Sequence, residues 1–127
     1  MKNQISLIGR AGRDAEKVEN NGRYFISFSF AVAETWMDKQ GERQEKTTWF
    51  TIQKGVKDDS KLADYIKKGD ILAIDGTPKA RAYKKKNGDL AAEIVVNATT
   101  IDISINQRKA EAAELPISQE DDDNTPF

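Results

Sequence analysis

Apolar and polar positions alternate most regularly from Tyr24 onward: Tyr24, Ile26, Phe28, Phe30 and Val32 fall on one parity, and Phe25, Ser27, Ser29, Ala31 and Ala33 on the other. A period of two with β-branched and aromatic residues predicts a long strand with one strongly apolar face. Asn3 to Gly9 reads as an earlier strand, broken by Gly9-Arg10-Ala11-Gly12, and Asn20-Asn21-Gly22 reads as a turn. After a polar loop at Asp38–Glu42, Thr47 to Lys54 forms the next strand, with Phe50 and Ile52 on one face and Trp49, Thr51 and Gln53 on the other. Between Ser60 and Lys68 the period changes. Leu62, Ala63, Tyr65 and Ile66 fit one side of a short helix stopped by Gly69. A fourth strand runs from Ile71 to about Tyr83, with Leu72, Ile74 and Ala80 on one face and Lys79, Arg81 and Tyr83 opposite. Asn87-Gly88 marks a hairpin, and a last strand from Ala92 to about Ile105 carries Ile94, Val96, Ile101 and Ile103.

The predicted order is three strands, a short helix and two strands. That is the order of a five-stranded all-β OB barrel. An open α+β sheet is the competing architecture. Beyond Arg108 the alternation ends, and from Pro116 the chain is polar and acidic with too few apolar residues to pack. Residues 1–108 are thus expected to form the folded domain and residues 109–127 a flexible acidic tail.

Charge sharpens this division. Residues 1–109 carry all 20 Lys and Arg against 15 acids, a net +5, whereas residues 110–127 carry 6 acids and no base. The basic body can attract a polyanion, for which the tail can compete. An excess of this size is also compatible with an ordinary solvated surface. With no histidine and no cysteine, the commonest general base and metal ligand are missing, and so is a common nucleophile. There is no Walker A motif, and the GxxG at Gly9–Gly12 reads as a turn rather than an RNA-clamping loop. The reading is a non-enzymatic protein with no cofactor and no metal.

Aromatic rings interleaved with cations point instead to nucleic acid. Trp49 lies on the polar face of its strand. Tyr83 shares a face with Arg81 and Lys79 and leads into Lys84, Lys85 and Lys86. Trp36 has the parity of the apolar set, so a straight strand would bury it, whereas a bend or bulge would turn it outward. Each ring has a structural alternative in the core or at an interface, and the lysine run has one as a solvated hairpin tip. At the C-terminus, Asp121, Asp122, Asp123, Pro126 and Phe127 place negative charge, a ring and a carboxylate on a tether, which suits a basic pocket with an apolar hole.

These segments together resemble the bacterial single-stranded DNA-binding protein family, over about residues 3–104 and 120–127. The matching stretches are Ile5–Asp14, Ala33-Glu34-Thr35-Trp36, Thr48-Trp49-Phe50, Leu62–Asp70, Ile74-Asp75-Gly76, Val95-Val96-Asn97 and the terminal Asp-Asp-Asp-x-x-Pro-Phe. The resemblance implies an OB fold, a homotetramer and single-stranded DNA wrapped around it. It also implies a C-terminal tip that docks onto replication, recombination and repair proteins. Trp36 and Trp49 fall where the family has stacking tryptophans, Tyr83 where many members have a third, and Arg81 on a basic position; Arg10, in the first matching stretch, joins the candidate DNA-binding residues. Two departures stand out. Gln53-Lys54-Gly55-Val56 offers no aromatic where many members stack a Phe. The long Gly- and Gln-rich linker is replaced by about residues 105–119, which span roughly 20–25 Å.

Two other classes fit the same residues: an adaptor whose barrel only displays acidic tips, and an RNA-binding OB module, since stacking tolerates either nucleic acid. With no apolar run of membrane-spanning length and no signal-peptide pattern after Met1, a cytoplasmic, nucleoid-associated location and no membrane partner are expected.

Overall fold

The computed structural model describes residues 1–105. Six strands follow in chain order: β1 (Ile5–Ala11), β2 (Glu16–Asn20), β3 (Arg23–Met37), β4 (Arg43–Val56), β5 (Ile71–Lys84) and β6 (Leu90–Asp102). β1 bonds β5, β5 bonds β6, β6 bonds β4, β4 bonds β3, and β3 returns to β1. The circuit is a closed five-stranded barrel of the OB type, with β4–β6 parallel and the other pairs antiparallel. Closure through Arg10↔Ala31 and Ala11↔Phe30 rules out the open sheet. It also leaves no free edge inside the ring.

The alternating parity of β3 sends Ile26, Phe28 and Phe30 inward to meet Phe50 and Ile52 of β4, Leu72 and Ile74 of β5, and Val96 of β6. The Phe28 and Phe30 rings meet edge to face at 6.2 Å. Each fully buried ring contributes about 1.5–3 kcal/mol of transfer free energy.

Four details differ from the sequence reading. First, β2 is an additional strand, paired to the outside of β3. Its five residues hold one apolar side chain, Val18, so no alternation announces it. The signal was the Asn21-Gly22 turn, both residues at positive φ, which closes a two-residue hairpin and so needs a strand on each side. Second, the helix is a single 3-10 turn, Leu62–Tyr65. Ile66 is extended, fully buried, and accepts a hydrogen bond from Ala15 N at 3.1 Å, while Tyr65 faces solvent. The apolar residues thus plug the barrel rather than line a helix. Third, Gly9-Arg10-Ala11 continues β1 instead of turning. A Cβ at Gly9 would run into the Ala31 carbonyl, so the glycine permits the crossing of β1 over β3 that closes the ring. Fourth, Ala80 is exposed, as is Ile94 at 38%. β1 begins opposite Gly76 and β4 pairs β6 only at Val95–Asn97, so past Lys79↔Val95 the β5–β6 ribbon runs clear of the barrel. The domain boundary expected at residue 108 and the tail lie outside the described residues. Among the described residues, no helix is long and apolar enough to cross a membrane.

Candidate nucleic-acid interface

Strand register assigns the candidate side chains to faces. Trp49 is opposite Ala31, and Thr51 is opposite both Ser29 and Val95. Val95 in turn is opposite Lys79, Glu93 opposite Arg81, and Ala91 opposite Tyr83. Directly paired residues share a face and alternate residues return to it. Trp49, Lys79, Arg81 and Tyr83 therefore lie on one outer face that runs across β4, β6 and β5. Arg10, opposite Ala31, joins it from β1.

Trp49 is 57% exposed and Tyr83 43%. Beneath the indole lies Gly12, where a Cβ would come within 2.6 Å of ring carbon Cζ3. Lys79 and Lys84–Lys86 are exposed. Lys84 ends β5, and the next residues form the tip, closed by Lys85 N to Asp89 O at 2.8 Å and Gly88 N to Lys85 O at 2.9 Å. Arg10 Nη1 donates to Gly69 O at 3.0 Å, which ties its guanidinium to the start of β5.

Arg81 is not a free cation. Its Nε donates to Glu93 Oε1 at 2.7 Å, and its Nη2 pairs with the same oxygen. Thr51 Oγ1 donates to Glu93 Oε2 at 2.8 Å. Partial burial alone would raise the Glu93 pKa; the Thr51 and Arg81 hydrogen bonds and the Arg81 charge outweigh it, and the carboxyl stays below its ordinary value. Sequence reading missed Glu93: a two-residue Asn87-Gly88 turn would set Ile94 opposite Arg81, whereas the hairpin closes at Lys85 and Asp89 around three residues and sets Glu93 there. It likewise missed Gly12, for which no local pattern exists.

Trp36 is 47% exposed, and no bulge is the cause. Pairing runs unbroken from Tyr24↔Val56 to Met37↔Arg43. The hairpin simply outruns the core, and from Glu34 the inward parity faces solvent. Trp36 and Trp49 consequently stand on opposite faces of the β3–β4 ribbon. The structure thus groups Trp49, Tyr83, Arg81, Lys79 and Arg10, holds Lys84–Lys86 at one tip, and sets Trp36 apart near the other.

A shallow cleft of about 760 Å³ opens at the end of the ribbon remote from Trp36, lined by residues including Arg23, Tyr24, Val56 and Asp58. The Asp58 and Glu19 charges raise the Tyr24 phenol, and Lys17 Nζ sits 5.0 Å above its ring. None of the candidate residues lines this cleft. Among the described residues, no three acidic, His or Cys side chains cluster to hold a metal.

A barrel of this topology, bearing rings and cations on one face, defines a class of OB-type modules. Residues 2–111 match the model of the single-strand binding protein family, and the chain belongs to that family. It is 36% identical over 108 residues to the single-stranded DNA-binding proteins of Neisseria meningitidis serogroup A (strain Z2491) and serogroup B (strain MC58). The match covers 84% of this chain and 58% of theirs, so it spans little more than half of those relatives. Among solved structures, the small single-stranded DNA-binding protein of Streptomyces coelicolor superposes with a TM-score of 0.69 at 16% identity, covering 82% of this chain and 95% of that one. The Plasmodium falciparum protein in complex with single-stranded DNA gives 0.62 at 28% identity, covering 80% and 92%.

Proposed function

We propose that the chain binds single-stranded DNA without strong sequence preference and protects it during replication, recombination and repair. Unpaired bases stack on Trp36, Trp49 and Tyr83, while Arg10, Lys79, Arg81 and Lys84–Lys86 neutralise phosphates. The reading rests on one observation above others: Trp49 of the barrel and Arg81 and Tyr83 of the β5–β6 ribbon lie on a single continuous solvent-facing surface. Relatives named single-stranded DNA-binding proteins, and a similar structure solved with that ligand, support it. On the family resemblance we further propose a homotetramer with no enzymatic activity, located in the cytoplasm with the nucleoid. Its tip, Asp121–Asp123 with Pro126 and Phe127, recruits partner proteins.

Oligo-dT titration of Trp49→Ala/Tyr83→Ala, with light scattering to read mass, tests the binding surface. Each lost platform weakens binding by about 1–3 kcal/mol. Wild-type affinity in a folded double variant overturns the stacking assignment. Competition between poly(dT) and poly(U) reads the choice of nucleic acid. Deleting Asp121–Phe127 tests the tip: partner docking is lost while DNA binding is kept or tightened.

A further inference from the structure

The outer face that carries Trp49 continues well past it. Along β4 the same parity gives Thr51, Gln53 and Gly55; along β3 their partners are Ser29, Ser27 and Phe25. Phe25 stands directly opposite Gly55 on one side and Val18 on the other. It is partly exposed and is not among the side chains packed on the core, unlike its neighbours Ile26 and Phe28. Directly opposed side chains on adjacent strands lie about 4.5–5.5 Å apart at Cβ. Val18 therefore backs the ring while the glycine leaves its other flank uncovered. A Cβ at Gly55 would meet nothing within 4 Å, so the space above it is open.

Between Trp49 and this spot the floor is small and polar: Ser27, Ser29, Thr51 and Gln53 all face the same way. Such a floor lets a chain of bases and sugars pass and offers them hydrogen bonds. Arg23, exposed and two residues before Phe25 on the same parity, adds a cation at the end of the track. Six residues of strand separate Trp49 from Gly55, about 20 Å at ~3.3 Å per residue.

We propose that Phe25 is a further base-stacking platform, at the far end of the face that holds Trp49 and Tyr83, and that it takes an unpaired base into the open space over Gly55. The assignment rests on the proposed single-strand function. It extends the track of the nucleic acid along the length of the barrel rather than across it.

The test is oligo-dT binding by anisotropy over a series of lengths within the roughly 4–16 nucleotides one OB barrel occupies. The proteins are the wild type, Phe25→Leu, Phe25→Trp and Trp49→Ala. Phe25→Leu keeps apolar volume against Val18 but removes the ring. It is expected to match the wild type on the shortest oligomers and to bind longer ones about tenfold more weakly, whereas Phe25→Trp retains or improves binding. A single indole supplied by Phe25→Trp in a Trp36→Phe/Trp49→Phe protein is expected to be quenched by long oligo-dT. If Phe25→Leu binds every length as the wild type does while Trp49→Ala weakens, the Phe25 platform is overturned and the general reading survives. If Trp49→Ala also binds as the wild type does, both fall together.

Discussion

Gly12 lies under the indole of Trp49, so close that a Cβ there would come within 2.6 Å of ring carbon Cζ3 and equally near Ser29 Oγ. A residue just past the end of β1 thus sets the pose of a ring carried by β4. Gly12→Ala must move the ring, the serine or the chain, and Gly12→Val more so. The expected result is weaker oligo-dT binding, approaching the loss of about 1–3 kcal/mol for removing the ring itself. Titrating Gly12→Ala beside Trp49→Ala, with thermal melts to show that both are folded, checks this. Unchanged affinity in Gly12→Ala would show that the ring's resting pose does not matter.

Glu93 places a carboxylate between two proposed stacking rings, where it holds Arg81 and is itself held by Thr51. A phosphate approaching Arg81 must compete with it. Glu93→Gln keeps an acceptor and a similar shape but removes the charge. Tighter binding is expected, with a log–log salt slope steeper by about 0.7, as one more phosphate is neutralised. The folded-state pKa is depressed. The stabilisation from the ionised form is therefore present above the unfolded value of about 4.3 and is lost as pH falls through the folded one. The same substitution should flatten that part of the acid-unfolding profile. Weaker binding in Glu93→Gln would show instead that the carboxylate aims Arg81 at the ligand.

What the sequence disclosed follows from where the core is. Inside the barrel, parity alone places Phe28, Phe30, Phe50 and Ile52 correctly, because each inward position is covered by another strand. The same rule fails for Trp36, Ala80 and Ile94, which keep the inward parity but sit where the two hairpins run beyond the barrel. Alternation reports a face and says nothing about whether anything covers it. β2 escaped for the converse reason, since an edge strand with one apolar residue has no buried face to record. Gly12 and Glu93 act through partners brought close by closure and by cross-strand register, which no local pattern contains.

Trp36 and Trp49 lie on opposite faces of one ribbon. Trp49 is level with Ala31, five residues from Trp36, or about 17 Å along the strand. Two platforms so placed should act independently. In a cycle of Trp36→Ala, Trp49→Ala and the double variant, measured with a long oligo-dT, the coupling should stay below about 0.5 kcal/mol. With oligomers too short to pass from one face to the other, only one of the two substitutions should register. A large coupling at every length would mean that a single base bridges both rings.

The loop that follows Trp36 is organised by one carboxylate. Asp38 Oδ1 accepts from Gln40 N at 2.9 Å and Glu42 N at 2.8 Å, and Oδ2 accepts from Gln44 Nε2 at 3.0 Å. The backbone bond from Glu42 does most to lower the Asp38 pKa, with slight burial opposing it and the Gln44 and Gln40 bonds adding to it. Because the folded value is depressed, the loop is fully held above the ordinary aspartate range near 3.9 and is released as pH falls through the folded value. Amide exchange at Gln40 and Glu42, corrected for intrinsic rates, should be steady from neutral pH down to about 5 and should rise only in strong acid. Asp38→Ala should show the acid-like rates at neutral pH, together with a loss of oligo-dT affinity no larger than that of Trp36→Ala. The substitution frees the hairpin that positions the ring but leaves the ring present. Protection in Asp38→Ala equal to the wild type would mean that the β3–β4 ladder alone orders the tip.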